Sequence, residues 1–449
     1  MKISKTVNKT QILSLLLIIG FLLIVSCGFV DASILICGST GCFPTKDTLA
    51  VLAMDPDVAG KTVIVTSPQV VSTAIIWPAD RDLKFERGGF LKFSAPGKLS
   101  GLKEARPEWF GAKADNMDAS IAANNAALQA ALNASKTVFL SAGIYKFSAN
   151  LFLQPDTTIK GVNEYTTKLQ FSGTGVALNC KGGYTQLYDL ILSGTPISPL
   201  YFTSGTKAIY FDSMKDRPYF GQNLVMYNVR IQGFEILVEG NGFYWKFYNC
   251  AFQDSKYAFN NVSSNNLSFF GCKFLNAKDF IRSYGGAGPI SLFGCSLERW
   301  SGAAISPIAG GTLAVVMTGC YAENAPTFHN KGTGLEDFKA AFVFCGAFTA
   351  ITFTGNVFQL EGIRRVFDVT NSAVIVSSGN TFWYEEGAYS TTEYIYSIHN
   401  DKSILHAHDT AFSRVSRKVG TYSTSNYIPS TILEIDGYNP ITRKPFKRH

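Results

Sequence analysis

The chain has 449 residues, 46% of them hydrophobic and 16% charged, with 35 Phe and 20 Tyr; this excludes disorder and argues for a large packed core. The formal net charge of +7 sits at the two ends: Lys2, Lys5 and Lys9 give +3 in residues 1–11, and eight Lys/Arg against four Asp/Glu give +4 in residues 401–449. The remaining 389 residues carry 29 basic and 29 acidic side chains, a neutral body that argues against a long basic groove and against nucleic acid as a partner.

Residues 1–32 read as a targeting leader. Lys2, Lys5 and Lys9 form a basic n-region, and Ile12 to Val25 is an apolar h-region of fourteen residues, short of the ~20 that span a bilayer. Two exits fit. Ile24-Val25-Ser26-Cys27 has the pattern of a bacterial lipobox, with Cys27 as the lipidated residue, while Val30-Asp31-Ala32 offers small residues for ordinary cleavage before Ser33. A third reading leaves the segment as an uncleaved membrane anchor. The expectation is a chain secreted or held in the cell envelope (periplasm or outer surface), lipid-anchored if the lipobox is used. Just after the leader, Cys37 and Cys42 bracket Gly-Ser-Thr-Gly, and an oxidising compartment allows a local disulfide there. The spacing is not a zinc pattern.

Residues 33–106 are strand-rich. Val63-Ile64-Val65, Ala74-Ile75-Ile76 and Phe90-Leu91-Lys92-Phe93 are short, largely apolar runs between turn residues. They fit either the irregular start of a solenoid or a small β domain. Next, Pro107-Glu108-Trp109-Phe110-Gly111-Ala112 leads through Asp115 and Asp118 into an Ala-rich segment, Ala119 to Ala134, with good helix propensity. Thr137 to Tyr145 and Leu153 to Gly161 each read as a strand followed by a turn.

This succession resembles the start of the pectate-lyase-like (rhamnogalacturonase/epimerase-like) right-handed β-helix superfamily. The resemblance implies a parallel β-helix whose N-terminal end is capped by a short helix. It covers residues 107–170 strongly and most of the chain loosely. The family's usual Gly-Asp-Gly and following Asp pair are replaced here by Lys113-Ala114-Asp115-Asn116. The superfamily includes hydrolases, lyases, epimerases, phage tailspikes and non-catalytic surface proteins, so the resemblance specifies fold more than activity.

From residue 187 an internal repeat supports the same architecture. Tyr248-Asn249-Cys250-Ala251-Phe252, Phe270-Gly271-Cys272-Lys273-Phe274 and Phe293-Gly294-Cys295-Ser296-Leu297 share one frame. Thr318-Gly319-Cys320-Tyr321-Ala322, Thr354-Gly355-Asn356-Val357-Phe358 and Ser378-Gly379-Asn380-Thr381-Phe382 continue it. Counted from Val229, the intervals are 21, 22, 23, 25, 36 and 24 residues. Period-2 alternation broken by Gly, Asn and Ser is strand-and-turn chemistry. The fold class is therefore all-β, a right-handed single-stranded parallel β-helix with a short N-terminal capping helix. Roughly eleven turns rising about 4.8 Å each make a rod of about 50 Å. The expected organisation is a leader at 1–32, a strand-rich region at 33–106, the β-helix at 107–400 and a basic cap or tail at 401–449.

Parity assigns the faces. The Cys/Asn and the residue two later share the apolar inner face, so Cys250, Cys272, Cys295 and Cys320 form an internal column of reduced thiols continued by Asn356 and Asn380. Residues three after the Cys/Asn point outward, and they include Gln253, Glu298, Glu323, Gln359 and Trp383. Glu298 and Glu323 fall on adjacent turns, about 5 Å apart at the backbone, and retaining glycosidases set their two carboxyls ~5–5.5 Å apart. Lys273 and Tyr321 project on the same face. Trp300, Trp383 and Tyr384 are read as sugar-stacking surfaces, since aromatic rings are apolar plates with a polar edge.

Glu298 and Glu323 are thus the candidate catalytic residues, with Gln253, Lys273, Trp300, Tyr321, Gln359, Trp383 and Tyr384 as substrate-binding candidates. The polygalacturonase signatures Asn-Thr-Asp, Asp-Asp, Gly-His and Arg-Ile-Lys are absent, as is the pectate-lyase Arg-x-Pro-x-x-Arg. His406 and His408 have no cluster of partner ligands, so neither a metal nor a cofactor is expected. Three functions remain open. The first is an exported carbohydrate-active protein, of glycoside hydrolase or lyase type, acting on an extracellular polysaccharide. The second is a non-catalytic cell-surface or adhesion β-helix. The third is a tailspike-like depolymerase, against which the leader argues. The oligomeric expectation is a monomer or a homotrimer.

Overall fold

The computed structural model describes residues 34–86, 88–195, 201–211, 223–284, 288–308 and 313–323. Beyond these it describes 341–345, 349–359, 365–369, 373–383, 394–398, 404–412, 419–421, 433–435, 438–439 and 444–445. The chain divides into two compact units, Met1–Leu102 and Lys103–His449.

In the first unit, strands Ile34–Gly38 and Gly41–Thr45 form an antiparallel hairpin in which Cys37 faces Cys42, and the two are joined by a disulfide. Thr62–Val65, Gln69–Val71 and Ala74–Ile76 then pair in parallel with Asp82–Phe85, Leu91–Phe93 and Lys98–Ser100 respectively. Three strands followed by three parallel partners make two stacked coils. Val63, Val65, Val71, Ile75, Leu83, Leu91 and Leu99 fill them. Buried Arg81 donates to the carbonyls of Leu52 and Asp55, both at 2.7 Å. It thereby satisfies acceptors left over at the C-terminus of the helix Leu49–Met54.

The second unit is a parallel β-solenoid of about 10 turns, the architecture the resemblance implies. One inward column shows the stacking: Leu187, Met226, Phe247, Phe269, Leu292, Met317 and Phe353 are register partners coil after coil, all buried. Phe252, Phe259, Phe269 and Phe274 pack ring against ring between the sheets, with centroids 4.8–6.3 Å apart. A single coil exposes both flat sides of such a core, so each is stable only on its neighbours. Parallel pairing passes residue 400: Ile404–Phe412 pairs with Ala373–Trp383 and then with Leu433–Ile435. The ladder therefore continues beyond the point where the Cys/Asn frame fades.

The first coil has a strand edge to protect, and the segment before it does so piece by piece. Ala105 bridges to Val138, and Asp115 bridges to Ile144. The helix Ile121–Ala134 buries Ala127, Leu128, Ala131 and Leu132. Its Gln129 accepts from the Phe152 N–H at 2.8 Å and donates to the Phe152 carbonyl at 3.1 Å, as a neighbouring strand would. Asn124, fully buried, donates to the carbonyls of Lys113 and Lys146. Glu108 of the Pro107–Phe110 turn accepts from the hydroxyls of Ser141 and buried Tyr145.

Between two of the sheets, each coil turns through a single left-handed residue. These are Asp189, Asn228, Asn249, Gly271, Gly294, Gly319, Gly355 and Gly379, with φ between 51° and 64°. Asn, Asp and Gly are the residues that tolerate this region. At Gly294, Gly319, Gly355 and Gly379 an added Cβ would meet nothing within 4 Å, so backbone dihedrals rather than space select glycine there. The next residue points inward; it is Leu190 and Val229 in the first two of these coils and the Cys/Asn of the repeat from Cys250 onward. From Cys272 onward its side chain bonds the coil before it. Cys272, Cys295 and Cys320 donate to the carbonyls of Phe247, Phe269 and Leu292 at 3.4–3.5 Å. Asn356 and Asn380 donate to Met317 and Phe353 at 3.0 and 3.1 Å. The same side chains also accept. The N–H groups of Cys295, Cys320 and Asn356 bond Cys320 Sγ, Asn356 Oδ1 and Asn380 Oδ1 at 3.2, 2.8 and 2.9 Å.

Replacing Asn356 by Leu strands the Cys320 N–H and the Met317 carbonyl in the core, at an expected cost of about 2–4 kcal/mol. Asn356→Cys restores the chemistry used one coil earlier and costs less than about 2 kcal/mol. Urea denaturation of both variants checks the difference; equal losses contradict the capping role.

Candidate functional site

The outward face after the inward turn residue consists of two adjacent columns. One runs Lys168, Ile191, Arg230, Ala251, Lys273, Ser296, Tyr321. The other runs Gln170, Ser193, Gln232, Gln253, Leu275, Glu298, Glu323, Gln359 and Trp383. Glu298 and Glu323 are direct register partners on consecutive coils, both half-buried.

Each carboxylate has its own support. Glu298 Oε1 accepts from the Ser296 hydroxyl at 2.6 Å and pairs with Lys273 Nζ at 3.2 Å. Lys273 belongs to the preceding coil, so this pair links two coils across the face. The Tyr321 hydroxyl donates to Glu323 Oε2 at 2.8 Å and lies 2.7 Å from the Gln359 carboxamide. Gln359 itself is 5% exposed, which makes it a support for Tyr321 rather than a surface group. Gln253 stands two coils before Glu298 in the same column and donates to Gln232 Oε1 at 2.9 Å and to Asp254 at 3.3 Å. Lys273, Tyr321, Gln253, Glu298 and Glu323 thus share one flank.

Trp300 does not join them. It is 1% exposed, aligned with Ala277 of the previous coil, with its ring 5.9 Å from Phe280. Simple alternation puts Trp300 on the same side as Glu298, but Arg299 between them adopts φ 60°. That left-handed residue turns the chain and swings Trp300 into the core, so it offers no face to a sugar. Asp254 and Asn276 occupy the same corner in earlier coils, with φ 55° and 52°. The backbone of Trp383 pairs with Gln359; its side chain, Tyr384 and Cys27 lie outside the described set.

A feature that pattern reading missed is an outward aromatic ladder one residue before the turn. Tyr188, Tyr227, Tyr248, Phe270 and Phe293 stack on successive coils with centroids 4.4–5.3 Å apart and planes within 13° of parallel. Lys160 lies over Tyr188 at 5.2 Å and extends the stack by one coil. The rings cover one another's faces and present edges to water, so the ladder ties coils together rather than offering sugar platforms. The signal was in the repeat itself, since Tyr or Phe precedes Asn or Gly in four consecutive segments.

No protein-family model matches the sequence, and no curated protein matches it. Among solved structures, the enzymatically active domain of bacteriophage CBA120 tailspike protein 2 is similar at a TM-score of 0.42 and 12% identity. That match covers 77% of this chain and 53% of the tailspike chain, so this chain spans about half of its length. The A-module of the mannuronan C-5 epimerase AlgE6 from Azotobacter vinelandii is similar at a TM-score of 0.34 and 13% identity. That match covers 72% of this chain and 100% of the epimerase module.

The placement of Trp300 and Lys273 predicts opposite responses. Trp300→Ala empties a core site and costs about 3–5 kcal/mol of unfolding free energy. Lys273→Ala breaks a partly exposed ion pair and costs less than about 1 kcal/mol. Denaturant titration measures both; a small loss at Trp300 would return it to the surface.

Proposed function

We propose that this protein binds and cleaves an extracellular polysaccharide along the flank that carries Glu298 and Glu323, as a glycoside hydrolase. The observation that carries this reading is their register pairing on consecutive coils. The ~4.8 Å rise between parallel rungs matches the ~5–5.5 Å carboxyl separation of retaining enzymes. The surroundings differentiate the two groups. Glu298, held by the Lys273 ammonium and the Ser296 hydroxyl, takes the part of nucleophile. Glu323, held by the Tyr321 hydroxyl and without a cation beside it among the described residues, takes the part of general acid.

In this mechanism Glu323 protonates the glycosidic oxygen while Glu298 attacks the anomeric carbon and forms a glycosyl ester. Glu323 then takes a proton from water, whose oxygen attacks the same carbon and releases Glu298. Tyr321 and Gln359 hold Glu323 in place, and Lys273 and Ser296 hold Glu298. Gln253 binds sugars further along the chain, and Trp383 and Tyr384 supply stacking surfaces beyond the pair. The basic-then-apolar leader routes the chain to export, with Cys27 as its lipid attachment point if the lipobox is processed.

Release of reducing ends or of unsaturated products from a panel of acidic and neutral extracellular polysaccharides tests the proposal. On a substrate that is cleaved, Glu298→Gln and Glu323→Gln each lower kcat by about 10²–10⁴-fold, and product NMR shows retention at the anomeric carbon. Full activity in both variants sinks the assignment. Binding without any release would make the flank a recognition surface only.

A further inference from the structure

The column beside the carboxylates holds a second pattern. Lys168, Arg230 and Lys273 occupy alternate rungs, separated by Ile191 and Ala251. Two rungs span about 9.6 Å, the advance of one disaccharide in an extended pyranose chain. The last cation, Lys273, is one coil from Glu298 and pairs with it. The parallel column presents Gln170, Gln232 and Gln253 along the same stretch, carboxamides that suit sugar hydroxyls.

Among the described residues, neither Lys168 nor Arg230 has a carboxylate within ion-pairing distance. Arg230 Nε is buried without a hydrogen-bond partner. The Arg230 guanidinium lies 5.8 Å from the ring of Tyr165, which is 75% exposed. Burial and the nearby Lys146 ammonium hold Lys168 below the usual lysine range, and an anion seated there relieves that repulsion. The body of the chain is neutral, so two cations without an ion pair in one column, Lys168 and Arg230, are a local feature rather than a consequence of net charge.

Resting on the reading that this flank binds polysaccharide, we propose that its substrate carries one anionic group per disaccharide. The chain lies along the solenoid axis, with its acidic groups on Lys168, Arg230 and Lys273 and its intervening sugars over Ile191 and Ala251. A polymer charged on every sugar would place a carboxylate against each of those apolar rungs, desolvated and without a donor. A merely cationic surface behaves in the opposite way and favours the polymer of highest charge density.

Calorimetric titration with oligosaccharides of equal length separates these cases. The probes are hyaluronan and unsulfated chondroitin (one carboxylate per disaccharide), oligomannuronate (one per sugar) and cello-oligosaccharide (neutral). The expected result is that at least one alternating probe binds about tenfold tighter than oligomannuronate despite carrying half its charge. Lys168→Gln and Arg230→Gln each weaken that binding about tenfold by removing a charge-assisted contact, with unchanged melting temperatures. Ala251→Lys fills the gap between two cations and shifts the preference towards oligomannuronate. Tighter binding of oligomannuronate by the unmodified protein overturns the proposal, as does a preference indifferent to Ala251→Lys. If none of the four probes binds, this proposal fails, while cleavage of another polysaccharide in the panel above still upholds the catalytic flank.

Discussion

The structure depends on how each coil's turn is closed from the next coil. A left-handed residue at the corner leads into an inward side chain, and from Cys272 to Asn380 that side chain bonds polar backbone in the coil before it. A buried carbonyl or N–H without a partner costs on the order of 1–3 kcal/mol, a penalty these side chains avoid at each of those turns. Cys and Asn each combine a donor and an acceptor in a volume that fits the corner. Asn makes the shorter bonds, 2.8–3.1 Å against 3.2–3.5 Å for the thiols. Because each such side chain reaches a defined atom of the preceding coil, it locks register, and a one-residue slip would turn the aromatic core outward.

Locked register turns the outer surface into columns. A residue type repeated at one frame position becomes a stripe, and two residues become neighbours across coils although more than twenty positions separate them. Glu298 and Glu323 meet in this way, as do Lys273 and Glu298. The aromatic ladder from Tyr188 to Phe293 is a further product of the same constraint, adding contact between coils on the outside of the turn. A rigid scaffold with outward columns suits recognition of a linear polymer, because positions along the axis correspond to positions along a chain.

Much of the fold was legible because the turn chemistry is local. The left-handed Asn or Gly, the Cys/Asn and the inward Phe recur within five residues, and they identify both the period and the faces. The carboxylate pair followed from that frame. Trp300 did not, because Arg299 takes a left-handed conformation that nothing in its residue type announces, and alternation fails across it. The cation column was hidden for a different reason. Lys168 and Arg230 are 62 positions apart across one ordinary and one long interval, in coils where the inward residue just before them is Thr167 or Val229 rather than Cys or Asn. Past residue 400, Leu405 and Ala407 stay inward while the Cys/Asn marker disappears, so the ladder outlasts its pattern.

In the proposed function, the outward flank at Glu298 and Glu323 holds and cuts a polysaccharide. A crystal structure of the Glu298→Gln protein soaked with an oligosaccharide of the cleaved polymer tests it most directly. The account predicts a chain running parallel to the solenoid axis, with a glycosidic oxygen within hydrogen-bond reach of Glu323 and an anomeric carbon facing residue 298. An oligosaccharide bound on another face, with this flank empty at saturating ligand, would contradict it.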